Sequence, residues 1–243
     1  MPYQSTLPSL ICGDPASTPL ILLHGFMGAK EDFVEMMKPL STRFYCMAID
    51  LPKPLEREDY VERLQHYFQD RFSSAIIVGY SMGGRLALQL SHRYRSFYSH
   101  VCALSAHPGI TSEQERMKRA ERDMLWIEKL RRQTLPHFLM DWYDQPLFQS
   151  LHQKPDLMHQ ILNRRSHQDP EKLIAMLQHL NLAKLPYIVT HPPRSLFVCG
   201  IEDRFYKKLY RALPHQQVED SGHVVHLENP KRCAEIILEW ATP

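Results

Sequence analysis

Gly79-Tyr80-Ser81-Met82-Gly83-Gly84 follows the apolar run Ala75-Ile76-Ile77-Val78 without a spacer and runs straight into the helix-prone Arg85-Leu86-Ala87-Leu88-Gln89-Leu90. A serine bracketed by glycines at a strand-to-helix junction marks a turn so tight that larger neighbours would strike backbone. Such a turn lifts the hydroxyl clear of the strand end, which makes Ser81 the first candidate for chemistry. Only nine glycines occur in the chain, and Gly25, Gly28, Gly79, Gly83, Gly84 and Gly222 fall in segments that would line one pocket of such a fold. A seventh, Gly200, ends another apolar run.

Five short apolar runs are separated by longer amphipathic segments: 20–23, 44–49, 75–78, 101–104 and 195–199. None alternates strictly, which suits strands buried on both faces of a parallel sheet sandwiched by helices. The expected class is α/β, a mostly parallel sheet flanked by helices, in one domain over residues 1–243. Between Leu104 and Ser195 lies far more chain than a crossover needs. Its pattern is helical, with Thr111 or Ser112 placed to cap a first helix and Pro136, Pro146, Pro155 and Pro170 punctuating several shorter ones. Residues 107–193 therefore read as a helical cap inserted before the late strands. An insertion after a strand lies over the carboxyl edge of the sheet, where α/β proteins bind ligands.

Composition removes other classes. Twenty-nine basic and 27 acidic residues leave a net charge of +2, with no electrostatic footprint for nucleic acid or an anionic membrane. No apolar run is long enough to span a bilayer, and Met1-Pro2-Tyr3-Gln4-Ser5-Thr6 does not begin an export signal. Cys12, Cys46, Cys102, Cys199 and Cys233 form no C-x-x-C pair and read as buried thiols of a cytoplasmic protein. Without H-E-x-x-H or C-x-x-C, neither a metal nor another cofactor is expected. Oligomeric state leaves no trace in the sequence.

A serine hydroxyl becomes reactive when an imidazole takes its proton and a carboxylate fixes the imidazole's tautomer. Asp203, just past the run ending at Cys199-Gly200, and His223, in Asp220-Ser221-Gly222-His223, follow Ser81 in the order serine, acid, histidine of the α/β-hydrolase fold. Glu202 competes for the acid and His226 for the base. In the loop His24-Gly25-Phe26, expected after the third strand, the N–H of Phe26 would join that of Met82 in an oxyanion pocket. His24 itself reads as a structural hydrogen-bonding residue. Arg85, one turn beyond Ser81 on the same helix face, is either a ligand for an anion or a solvated side chain.

The chain resembles the 2-succinyl-6-hydroxy-2,4-cyclohexadiene-1-carboxylate synthases of menaquinone biosynthesis. The resemblance runs from His24-Gly25-Phe26 to Glu228-Asn229-Pro230, nearly the whole chain, and of it His24 and the elbow are shared with many α/β-hydrolases. Arg85 after the double glycine, His107-Pro108-Gly109-Ile110 and Asp141-Trp142-Tyr143-Asp144-Gln145-Pro146 are characteristic of this group, with Glu115-Arg116, Arg119 and Arg164-Arg165-Ser166 between and after them. It implies that Ser81, activated by His223 and oriented by Asp203, removes a proton α to a succinyl carbonyl, after which pyruvate leaves and no water is consumed. It also implies a polycarboxylate substrate held by Arg85, Arg119 and Arg165, with Tyr80, Trp142 and Tyr143 lining the pocket; Arg164 competes with Arg165, and packing within the cap competes for the two aromatics of 142–143. One departure stands out. After Asp50-Leu51-Pro52 the family usually continues Gly-His-Gly and a serine, whereas this chain reads Lys53-Pro54-Leu55-Glu56-Arg57. A carboxylesterase or thioesterase using the same triad is the alternative that this altered loop keeps open, and a non-catalytic binding module is a third.

Overall fold

The computed structural model describes residues 6–56, 58–188 and 194–241. Seven strands form one sheet: β1 (Ser9–Cys12), β2 (Pro19–Leu23), β3 (Tyr45–Ile49), β4 (Ala75–Tyr80), β5 (Tyr98–Leu104), β6 (Ser195–Gly200) and β7 (His215–Val218). Their order across the sheet is β1-β3-β2-β4-β5-β6-β7, with β1 antiparallel to β3 and every other pair parallel. From β2 the chain steps outward to β3, then crosses back to place β4 on the other side of β2. That reversal opens a crevice at the carboxyl ends of β2 and β4, the place where ligands sit in open α/β sheets.

The absence of alternation in the central runs is explained by burial on both faces. Leu20, Leu22, Ile76, Val78, Cys102 and Leu104 point into one core, while Ile21, Leu23, Ile77, Val101, Ala103 and Cys199 point into the other. Helices α1 (Val34–Leu40), α2 (Tyr60–Gln69) and α3 (Met82–Arg93) accompany the first strands; α1 adds Met36, Met37 and Leu40 to the first core, and α2 and α3 add Leu64, Phe68, Leu86 and Leu90 to the second.

The long segment between β5 and β6 is helical: α4 (Glu113–Arg132), α5 (Leu135–Tyr143), α6 (Gln149–His152), α7 (Pro155–Arg165) and α8 (Pro170–His179). Ser112, rather than Thr111, caps α4, its Oγ accepting the Glu115 N–H at 3.3 Å. Pro136, Pro155 and Pro170 stand in the first turns of α5, α7 and α8, and Pro146 opens a short 3-10 turn, where the missing N–H costs nothing. Residues 189–193, the expected end of the insertion, lie outside the described residues. After β6 come α9 (Arg204–Leu209), α10 (Val225–Glu228) and α11 (Pro230–Ala241). Among the described residues no helix is long and apolar enough to cross a membrane.

Candidate active site

Ser81 stands between β4 and α3 with φ +49° and ψ −108°, in the left-handed region that L-residues seldom occupy. Two hydrogen bonds hold it there: its N–H donates to Leu104 O at 2.8 Å, and its carbonyl accepts the Arg85 N–H at 3.1 Å. The flanking glycines are required by close backbone approach. A Cβ on Gly79 would lie 2.3 Å from Gly83 O, and one on Gly83 would lie 2.2 Å from Leu23 O. Met82 is the first residue of α3, so its N–H has no acceptor within the helix.

Asp203 ends the turn after β6 and does two jobs with one carboxylate. Oδ1 accepts the Tyr206 N–H at 3.0 Å, capping α9, and Oδ2 meets His223 Nδ1 at 3.0 Å. With Nδ1–H donated to Asp203, a neutral His223 carries its lone pair on Nε2, the tautomer a base requires. The ring is buried among Tyr206, Tyr80 and Phe148, whose centroids lie 5.1, 5.5 and 5.7 Å away. Glu228 braces the same loop: its two carboxylate oxygens accept the N–H groups of Gly222 and Val224, on either side of His223, at 3.0 Å each. Lys154, at the start of α7, lies 3.7 Å from Glu228 and donates to Asp220 O.

The geometry separates the competitors. Asp203, not Glu202, is the carboxylate bonded to His223. His226 is fully buried, 4.1 Å from the Tyr80 ring centroid and 5.3 Å from that of Phe33, and burial pushes its pKa down to about 3. His24 is fixed at both nitrogens, against Gly25 O at 2.7 Å and the Leu51 N–H at 2.9 Å. Its loop follows β2, the second strand among the described residues rather than the third, since β1 is the one strand before it there.

Ser81, Asp203 and His223 line one cavity of 1380 Å³, and so do Phe26, Tyr80, Met82, Arg85, Arg119, Trp142, Tyr143 and Arg165. Arg85 Nε is buried without a hydrogen-bond partner among the described residues, and burial together with nearby Arg119 lowers the guanidinium to about 10. Arg119 grips both oxygens of Asp123 at 2.8 and 2.9 Å. Arg165 is nearly buried and donates to Asp32 Oδ2 at 3.0 Å, while Arg164, outside the cavity lining, lies 3.3 Å from Asp32 Oδ1. His107 faces the same cations, and burial, Arg85 and Arg119 push it down to about 4. Trp142 packs 4.9 Å from both Phe26 and Trp126, and Tyr143 4.9 Å from Phe148, so these aromatics are at once packing and cavity wall. The reading from sequence missed Tyr206, Phe148 and Arg122 in this lining. Only Arg122 left a signal, three residues beyond Arg119 on one helix.

A serine held proud of a helix start, an imidazole oriented by a buried carboxylate, and a cavity rich in arginine suit proton transfer on an anionic substrate. The sequence profile of the alpha/beta hydrolase family matches residues 20–236. A 2-succinyl-6-hydroxy-2,4-cyclohexadiene-1-carboxylate synthase of Citrobacter koseri is 30% identical over 235 residues, covering 90% of this chain and 91% of the relative. The chain belongs to that synthase family of alpha/beta hydrolases. A second synthase of the family, from Photorhabdus laumondii, is 29% identical over 90% of this chain and 83% of its own length. The fold matches that of MenH from S. aureus at a TM-score of 0.82 and 24% identity, over 96% of this chain and 97% of the other. The protein is thus an enzyme of the alpha/beta hydrolase superfamily.

Proposed function

We propose that this enzyme is a lyase that converts 2-succinyl-5-enolpyruvyl-6-hydroxy-3-cyclohexene-1-carboxylate to 2-succinyl-6-hydroxy-2,4-cyclohexadiene-1-carboxylate and pyruvate, a step of menaquinone biosynthesis. Ser81, with its proton drawn to His223 and the imidazolium matched by Asp203, takes the ring proton α to the succinyl carbonyl. The electron pair moves into the ring, the existing double bond shifts along it, and the carbon–oxygen bond to the enolpyruvyl group breaks. The released enol becomes pyruvate. No water enters, so the triad works here as a base rather than a nucleophile toward a carbonyl.

The N–H groups of Phe26 and Met82 would hold the negative charge that gathers on the succinyl oxygen. The substrate carries three carboxylates, and the carrying observation is the arginine set around the triad. Arg85 supports the reading most strongly, because its buried, unpartnered Nε leaves donor capacity that a carboxylate would complete. The helices between β5 and β6 bring Arg119, Trp142, Tyr143 and Arg165 to the same cavity, which supports their role as a cap over the site within a single domain.

The test is pyruvate release followed through lactate dehydrogenase, with a parallel assay of short acyl esters. Pyruvate formation well above ester turnover is expected. Ester turnover without pyruvate would move the function to a carboxylesterase and direct attention to the loop after Pro52.

A further inference from the structure

Arg122 lies three residues after Arg119 on α4, so both side chains leave the same helix face. It is exposed, yet it lines the cavity that holds the triad. Two surface cations of the same helix are paired, Lys129 with Asp141 and Arg132 with Glu128. No such pair forms at Arg122 among the described residues; Asp123, the carboxylate whose charge reaches it, is gripped through both oxygens by Arg119. Burial and the neighbouring charge of Arg119 lower the Arg122 pKa, while Asp123 and Tyr206, the latter packed against His223, raise it. Arg85 in turn feels Arg119. Three guanidiniums are therefore graded from mouth to interior: Arg122 exposed, Arg119 with a side chain 22% exposed, and Arg85 with its Nε buried.

The surrounding charge has the sign an anion requires. Arginines and lysines outnumber carboxylates seven to four in the cavity lining, and two of those four, Asp123 and Asp203, are already engaged by Arg119 and His223. Glu115 and Glu202, both exposed, are the remaining two. A cleft with low-dielectric walls and an excess of one charge focuses its field at the opening and draws in ligands of the opposite sign.

We propose that Arg122 is a further substrate-binding residue, an outer anion site that captures a carboxylate of the incoming polycarboxylate before Arg119 and Arg85 receive it. The identity of that substrate rests on the lyase reading, whereas the anion chemistry does not. Capture at the mouth is electrostatic and only partly desolvated, so salt weakens it, unlike the inner contact at Arg85.

Two measurements on the whole protein test this. Pyruvate release is followed for wild type, Arg122→Ala, Arg122→Glu and, as a control of equal charge loss on the same helix, Arg131→Ala. Arg131 is exposed and outside the cavity lining. In parallel, citrate is titrated against tryptophan fluorescence, since Trp126 and Trp142 both line the cavity. At low ionic strength Arg122→Ala should raise KM by about threefold or more, Arg122→Glu should raise it further, and both differences should shrink as salt shortens the Debye length to about 8 Å. The Kd for citrate should move in parallel, and Arg131→Ala should match wild type in both assays. Wild-type KM and citrate affinity in both Arg122 variants, beside a weakened Arg85→Ala, would overturn the proposal. If wild type releases no pyruvate, the lyase reading fails and the citrate series decides alone: weaker binding by the Arg122 variants sustains the outer site, and unchanged binding, or no citrate bound by wild type, ends it.

Discussion

His223 is held from three directions: by Asp203 on Nδ1, by a ring of aromatic side chains, and by Glu228, whose carboxylate takes the N–H groups on both sides of it. Truncating Glu228 leaves those two donors without acceptors, and each orphaned buried donor costs about 1–3 kcal/mol. Glu228→Ala should therefore melt several degrees lower and lose kcat more than it changes KM; thermal denaturation with steady-state kinetics checks this, and a wild-type kcat would show that the brace is not needed. Arg85→Lys isolates another feature. It keeps a positive charge but replaces a planar fork by a single ammonium, so KM should rise by about tenfold, the equivalent of roughly 1.4 kcal/mol of a charge-assisted bond. Unchanged KM would move the substrate's carboxylate away from Arg85. Ser81, Asp203 and His223 were legible because their order and the glycines around them report backbone geometry. Glu228's grip on the histidine was not, since it depends on how the chain folds back through α10.

The elements divide in the same manner. The central strands were legible from apolar runs because both of their faces are covered, and the helices between β5 and β6 were legible from the prolines that punctuate them, which the structure puts in first turns. β1 and β7 were not, because edge strands need no continuous apolar run; His215-Gln216-Gln217-Val218 leaves Gln216 and Gln217 exposed and buries only Val218. The His24 loop was expected after a third strand and follows the second, because a single strand, β1, precedes β2 among the described residues. Of the helices α4 is the most exposed to perturbation, since only Asp123, Ile127 and Leu130 of its 20 residues are buried. Its start depends on the Ser112 cap, and Ser112→Ala should destabilise it by about 1 kcal/mol. Because α4 carries Arg119, the same variant should show a KM that rises faster with temperature than that of wild type; identical temperature profiles would mean that packing against α5 and α8, which α4 touches, fixes the helix without the cap.

At the scale of the whole molecule, the strand reversal between β2 and β4 gathers Phe26, Ser81, Asp203 and His223 at one edge of the sheet, and the helical segment after β5 adds Arg119, Trp142, Tyr143 and Arg165. Assembling this site buries titratable groups that shape stability against acid. His226 is neutral in the fold, where its pKa is pushed down to about 3, against 6.5 in an unfolded chain; Arg165, Arg164 and His223 press in the same direction and Asp32 opposes them. Between these values the unfolded chain binds a proton that the folded one refuses, so the stability His226 contributes is full above pH 6.5 and lost as pH falls toward 3. His107, pushed down to about 4, works in the same sense. A His226→Phe variant, which keeps a ring between Tyr80 and Phe33, should lose less Tm between pH 7 and pH 5 than wild type does; an equal loss would place the acid sensitivity elsewhere.

The central claim is that the triad removes a proton and expels pyruvate. It is tested most directly by comparing wild type with Ser81→Ala for pyruvate release from enzymatically generated 2-succinyl-5-enolpyruvyl-6-hydroxy-3-cyclohexene-1-carboxylate. Removing a base that acts in the transition state should lower kcat by about a hundredfold or more with KM nearly unchanged. Pyruvate release by Ser81→Ala at the wild-type rate would contradict the account, and so would a folded wild-type protein that releases none.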